Sequence, residues 1–216
     1  MRLYVSTGTV RFGARRGRVS FDRAVLEGQA PEVAPLLLGA ILTHDGVSVR
    51  ITEVEAYVGD GVDPGSHAFR GKTRRNASMY GPPGHLYAYF TYGMHTCANI
   101  VCSPEGRPAG CLVRAGEVVE GLELARARRH TSKHDHDLAR GPARLTVALG
   151  IQLGDNGADL NAPPFDLTLP DAPGAYLTGP RTGLSGPGGE DAFPWRFWLP
   201  GEPSVSPYKR HPKLGR

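Results

Sequence analysis

Val47-Ser48-Val49-Arg50-Ile51 alternates apolar and polar residues with period 2, the pattern of a strand with one buried face. Just before it, His44-Asp45-Gly46 carries the chemistry of a tight turn, so Ala40-Ile41-Leu42 is the expected hairpin partner. Continued at the same parity, the strand sets Glu53, Glu55 and Tyr57 on the side of Val49 and Ile51, with at least one carboxylate emerging at the rim of an apolar wall. A carboxylate in that position is costly unless it is paired or used. Pairing with Arg50, Arg70 or Arg74 is the structural alternative to a chemical role.

The remaining elements follow from spacing and punctuation. Pro31 to Leu38 suits a short helix stopped by Gly39. His85 to Tyr92 is aromatic-rich and follows Gly81-Pro82-Pro83-Gly84, so it reads as a strand launched from a turn. Gly93 breaks it, Thr96 to Cys102 can return antiparallel, and Tyr92 falls at the hairpin tip. An aromatic at such a tip is unfavourable in a soluble monomer, yet it can serve as a wedge between DNA base steps. Tyr87 and Phe90 read instead as sheet packing. After a Cys111 to Arg114 strand, Val118, Val119, Leu122 and Ala125 recur among charges and predict an amphipathic helix over 118–129. Gly141-Pro142 opens a further helix, Ala143 to Leu149, closed by Gly150. Arg140 and Arg144 flank its start, which suits a phosphate seat and equally an ordinary capped helix with surface charge. Residues 152–190 are dense in Gly, Pro, Asp and Asn and predict loop with short strands, and the alternation of Phe193, Trp195, Phe197 and Leu199 predicts a closing strand.

Composition narrows this picture. A chain of 216 residues supports one full-sized core, and 29 glycines with 19 prolines in no period indicate a loop-rich globular protein. The net charge of +4 and pI of about 9.1 are unevenly spread. Residues 1–20 hold Arg2, Arg11, Arg15, Arg16 and Arg18 and no acid, which divides the chain into a basic N-terminal arm, 1–20, and a single domain, 21–216. Such an arm suits an anionic partner or a merely soluble terminus. The three cysteines, Cys97, Cys102 and Cys111, have no C-x-x-C spacing, and an odd count argues against a disulfide framework. They also fall short of the four that an iron–sulfur cluster takes. No apolar run approaches the ~20 residues needed to span a bilayer, and no signal-peptide core is present. The expectation is a cytoplasmic protein with no membrane association. His130 to Asp137 offers three histidines and two aspartates, but no ligand pair lies on an evident rigid element, so a solvated loop is expected there, with no metal and no cofactor.

Several long motifs carry a family resemblance. Glu-Val-Glu-Ala-Tyr at 53–57, Ser-His-Ala at 66–68, Thr-Arg-Arg-Asn at 73–76, Pro-Gly-His-Leu-Tyr-Ala-Tyr-Phe-Thr-Tyr-Gly-Met at 83–94, Asn99, Leu-Val-Arg-Ala at 112–115 and Leu-Ala-Arg-Gly-Pro-Ala-Arg-Leu at 138–145 occur in order. Together they resemble the alkyladenine (3-methyladenine) DNA glycosylase family from about Phe21 to the C-terminal strand. Arg74 departs from the family pattern, which has proline there. The resemblance implies an α+β fold: one domain with a curved, mostly antiparallel sheet, flanking helices and a protruding β-hairpin that inserts into DNA. It also implies a monofunctional enzyme that flips alkylated or deaminated purines from double-stranded DNA and hydrolyses the N-glycosidic bond, acting as a monomer.

The resemblance likewise assigns roles. Tyr92 fills the gap left by the flipped nucleotide, Tyr57 and His67 sandwich the base, Tyr89 walls the pocket, Asn99 clashes with the amino group of guanine, and Glu55 is the general base that orients water. A carboxylate suits that last role independently, because an oxocarbenium-like sugar needs negative charge nearby as well as a nucleophile. Arg114 either partners the carboxylate or holds a phosphate. Only Lys72 of the four lysines lies near the motifs, which argues against Schiff-base strand cleavage. Two other classes remain: a non-catalytic nucleic-acid-binding module, separable by base release from a lesion duplex, and a nucleoside hydrolase, separable by activity on free deoxyinosine.

Overall fold

The structure is a computed structural model that describes residues 2–4, 21–91 and 93–213. Tyr92, and Arg11, Arg15, Arg16 and Arg18 of the basic arm, lie outside the described residues; of Arg2 only the backbone is described.

The expected helix with its glycine stop forms as α1 (Ala30–Leu37), and Gly39 turns the chain at φ +85°. The hairpin follows as β2 (Ile41–His44) and β3 (Val47–Val58), with Leu42 opposite Val49. Asp45 and Gly46 both have positive φ, 43° and 78°, the two-residue turn whose twist matches that of the flanking strands. The aromatic hairpin forms as β4 (Leu86–Thr91) and β5 (His95–Cys102), with Tyr89 opposite Cys97. Phe90 and Met94 are exposed close to its turn.

The expectation of a helix from Val118 is corrected. Strand β6 (Ala109–Glu120) runs on because Val118 pairs with Val49 and Glu120 with Ser48, and the helix α2 is confined to Leu122–Arg128. Gly121 makes the break at φ +73°, where a Cβ would meet the Gly46 carbonyl oxygen at 2.1 Å. Helix α3 (Pro142–Leu149) ends at Gly150 as expected. The loop-rich remainder contributes β7 (Phe165–Thr168), β8 (Tyr176–Gly179) and β9 (Arg196–Trp198). Backbone pairing of β1 (Arg2–Tyr4) with β8 adds the far edge.

Among the described residues these nine strands make one curled antiparallel sheet in the order β1-β8-β9-β3-β6-β5-β4, with β2 branching from β3 and β7 pairing with β2. The fold is therefore α+β in a single domain. Strand β6 follows one edge of β3 throughout, while β2 and then β9 share the other. The handover falls at Thr52. Ile51 pairs with Gly116 and Glu53 with Ala115, which leaves Thr52 bulged out of the β6 ladder; Val54 then pairs with Val113 and skips Arg114.

The bulge overturns the expected parity. Val47, Val49 and Ile51 enter the main core, but beyond Thr52 it is Val54 and Ala56 that do so. Glu53, Glu55 and Tyr57 consequently belong to the opposite face, because one extra residue flips every later side chain. The main core packs all three helices, through Val33, Leu37, Ala125, Leu145 and Leu149, onto one face of the sheet. A smaller cluster of Ala68, Met79, Tyr87 and Val101 occupies the other, with Tyr80 and Tyr89 against it. Among the described residues no helix is long and apolar enough to cross a membrane.

Candidate active site

On the helix-free face a row of side chains crosses four strands. Glu55 on β3 is opposite Leu112 on β6, Leu112 is opposite Asn99 on β5, and Asn99 is opposite Tyr87 on β4. Neighbouring strands lie about 4.8 Å apart, so the row brings residues from three separate motifs to one surface. Asn99 is buried and donates from Nδ2 to the Tyr87 carbonyl at 3.0 Å.

Both glutamates are fully buried, not rim-exposed, and their partners are not Arg50, Arg70 or Arg74. Arg50 pairs with Glu117 and Glu202, each at 2.8 Å. Glu53 is enclosed by Arg196 at 2.6 Å, Arg114 at 3.1 Å, the Ser206 amide at 2.7 Å and the Ser206 hydroxyl at 3.0 Å. Four protein contacts thus converge on it, two of them from arginines. Glu55 is held differently. Its Oε1 accepts from the Thr182 amide at 2.6 Å, and its Oε2 accepts from the Tyr57 hydroxyl at 2.9 Å and faces Arg114 Nη1 at 3.5 Å. A carboxylate offers about four lone-pair directions, and these three contacts leave one, on Oε1. Arg114 thus bridges the two carboxylates and resolves the choice between carboxylate and phosphate partner toward the carboxylates. Burial opposes the charge on Arg114, but Glu55 and Glu53 outweigh it and raise its pKa.

Aromatic rings surround Glu55. Burial first and the Glu55 charge second push the Tyr57 phenol well above its ordinary range, with Arg181 partly offsetting them, so it stays a donor at neutral pH. Tyr87 and Tyr89 stack at 5.5 Å between centroids, and His67 meets Tyr89 edge-on at 4.6 Å. Burial raises both phenols, that of Tyr87 to about 12. The His67 imidazole lies 3.0 Å from the Tyr87 hydroxyl through Nδ1, and its pKa is lowered from 6.5 by desolvation and then by Arg75. His67 is carried by a loop that Asn76 fastens, donating to the His67 carbonyl at 2.9 Å and the Gly71 carbonyl at 3.0 Å. Glu55, Tyr57, His67, Tyr89, Asn99 and Arg114 therefore gather at one site.

Arg140 and Arg144 have other partners. Arg140 donates to the Val205 carbonyl at 2.9 Å, and both arginines face Asp137, at 3.5 and 4.0 Å. Arg144 keeps half of its side chain exposed. The histidine-rich segment is tied down by Arg126 on Asp135 at 2.9 Å and by stacking of His134 on His136. Among the described residues no group of three or more His, Cys, Asp or Glu is placed to hold a metal ion.

Three residues of the site have no signal in the sequence pattern. Arg181 and Thr182 lie in the Gly/Pro-rich stretch, and Asp63 precedes a proline in an irregular loop. Arg181 and Asp63 form a fully buried fork of two 2.6 Å contacts, with Arg181 also donating to the Ala56 carbonyl at 2.8 Å. The clue that the sequence holds is arithmetic: buried carboxylates demand buried cations, and the Gly/Pro-rich stretch supplies Arg181.

A family model described as Methylpurine-DNA glycosylase (MPG) matches residues 24–203. Three curated relatives each bear, as an inferred assignment, the name 3-methyladenine DNA glycosylase. One from Leifsonia xyli subsp. xyli is 63% identical over 207 residues, covering 92% of this chain and 95% of its own. Another, from Streptomyces avermitilis, is 53% identical over 90% of this chain and 92% of its own, and one from Nocardia farcinica is 49% identical over 90% and 93%.

Proposed function

This chain belongs to the methylpurine-DNA glycosylase family and is a DNA glycosylase of base excision repair, and from that premise we propose that it releases damaged purines at the Glu55 site. The carrying observation is the set of contacts on Glu55: a fully buried carboxylate with three protein donors and one free lone-pair direction, beside a wall of aromatic rings. The expected alternatives of a non-catalytic module and a nucleoside hydrolase give way to the family assignment.

A glycosylase must expose C1′ of one nucleotide in a duplex, so the nucleotide is rotated out and its base gripped. In this reading the base stacks between Tyr57 and His67 against Tyr89, and Asn99 excludes the guanine amino group. Stacking contributes ~1–3 kcal/mol per base, and the rings add attraction for a purine made cationic by alkylation. The cation also leaves more readily as a neutral base. Glu55 accepts the proton of the attacking water and balances the positive charge that develops on the sugar. The Tyr57 hydroxyl and Arg114 fix its orientation and offset its burial. Lys72 sits over the Tyr80 ring at 5.3 Å, an engagement that fits hydrolysis without a Schiff base.

At the hairpin between β4 and β5, Tyr92 is proposed as the residue that occupies the vacated stack, with exposed Phe90 and Met94 extending its apolar surface. Arg144, with Arg140 behind it, is proposed to contact backbone phosphate, and the basic arm to add non-specific attraction to DNA. The enzyme is proposed to act as a monomer on double-stranded DNA in the cytoplasm, beside the chromosome, with no metal or cofactor. Release of free base from duplexes carrying 3-methyladenine, 7-methylguanine, hypoxanthine or an etheno adduct tests the reading, with Glu55→Gln as control. Release from no lesion duplex, or undiminished release by Glu55→Gln, would refute it.

A further inference from the structure

Among the described residues, two buried side-chain polar atoms have no hydrogen-bond partner, Asn161 Oδ1 and Thr182 Oγ1. Asn161 is remote from the site and is anchored through its amide nitrogen to the Phe21 carbonyl at 3.1 Å. Thr182 is at the site itself. Its backbone N–H donates to Glu55 Oε1 at 2.6 Å, so the residue that carries the unpartnered hydroxyl adjoins the carboxylate oxygen that retains a free lone-pair direction. A buried hydroxyl without a partner is unfavourable, and valine would fill the same volume without that penalty. Polar groups left in this condition in a folded protein call for a functional explanation.

We propose that the Thr182 hydroxyl is a water-positioning group, which with Glu55 Oε1 grips the water that attacks C1′. The proposal rests on the reading of Glu55 given above. One water proton is accepted by Oε1 and the other by Thr182 Oγ1, which leaves the water lone pairs free to face the sugar. The water oxygen bonds to C1′, the N-glycosidic bond breaks with its electron pair leaving on the base, and Glu55 takes one water proton. For a purine made cationic by alkylation the products are a neutral free base, an abasic sugar hydroxyl and protonated Glu55, so atoms and charge balance. Two anchors on one water are what an orientation effect requires, since a misplacement of about 1 Å at a reacting atom can cost on the order of 100-fold in rate.

Thr182→Val and Thr182→Ser test this against the wild type and Glu55→Gln. The measurements are single-turnover release of 7-methylguanine, affinity for the lesion duplex, and melting temperature. The expected result is that Thr182→Val slows release by about 10- to 100-fold, keeps lesion affinity within a few-fold, and melts at or above the wild-type temperature. Thr182→Ser should recover most of the rate, because it restores the hydroxyl. A group that only packed would move rate and melting temperature down together. Wild-type release by Thr182→Val beside an inactive Glu55→Gln would overturn the role of Thr182 and leave the site intact. Equal loss in the Val and Ser variants, or a lowered melting temperature in both, would overturn it in favour of packing. An active Glu55→Gln would remove the site reading and this inference with it.

Discussion

The guanidinium of Arg181 lies 4.5 Å from the centroid of the Tyr57 ring. The same guanidinium is gripped by Asp63 through two contacts of 2.6 Å, so the ring proposed to stack on the damaged base is supported by a buried ion pair drawn from two distant loops. One face of Tyr57 is thereby taken, and the base is proposed to stack on the other. Breaking a buried pair from one side leaves an uncompensated charge and costs roughly 3–5 kcal/mol. Asp63→Ala is expected to lose about that much stability in denaturant titration and to weaken lesion binding with it. Unchanged stability would show that the fork is not an anchor.

Glu53 and Glu55 are two residues apart and equally buried, yet they should fail in different ways. Glu53→Gln withdraws charge from Arg196 and Arg114, so it is expected to lower stability by several kcal/mol while the properly folded fraction retains excision. Glu55→Gln keeps the shape of the side chain and removes the proton acceptor, so lesion-DNA affinity should stay within a few-fold while excision is lost. Melting curves and single-turnover release on both variants distinguish these outcomes. A more severe catalytic defect in Glu53→Gln would reverse the assignment.

His67 should confer a difference between lesions as pH is varied. Its pKa is lowered below the 6.5 of the unfolded chain by desolvation and by Arg75, so between the two values the unfolded state binds more protons. Stability from this group is therefore lost as pH falls from 6.5 toward the folded value, and below it the imidazole is charged. A charged His67 repels a cationic purine and not a neutral one. Release of 7-methylguanine is expected to decline more steeply on the acid side than release of hypoxanthine, in profiles between about pH 5 and 8. Any acid loss shared by the two lesions cancels in this comparison, so parallel acid limbs would remove His67 from the base pocket.

Tyr92 should matter in proportion to how strongly the base pair resists opening. Filling a vacated stack offsets an unstacking cost of a few kcal/mol, so Tyr92→Ala is expected to slow release from matched duplex and spare the same lesion in single-stranded DNA. The adjacent Gly93 holds φ +65° and sets the turn, which the substitution leaves alone, so melting temperature should be unchanged. Equal losses on both substrates together with a large drop in stability would place Tyr92 in the core.

The sequence by itself determined the local elements and the chemistry they carry. Asp45-Gly46 specified its hairpin, Gly39 and Gly150 ended their helices, the aromatic run from His85 after Gly81-Pro82-Pro83-Gly84 specified β4, and the motifs at 53–57 and 83–94 carried the family resemblance. Tertiary structure decided which face the glutamates occupy and what surrounds them. A bulge at Thr52 has no mark in a period-2 pattern, because the extra residue is defined by the ladder it makes with β6 and β9 and not by its own side chain. The same holds for Val118, whose helical spacing lost to strand pairing with Val49 of β3. Glu53 and Glu55 take partners 127 to 153 residues away, Thr182, Arg196 and Ser206, and no local periodicity reaches that far. Those partners give two equally buried carboxylates different surroundings: two arginines and Ser206 around Glu53, and one arginine, the Tyr57 hydroxyl and the Thr182 amide around Glu55, the one proposed to be reactive.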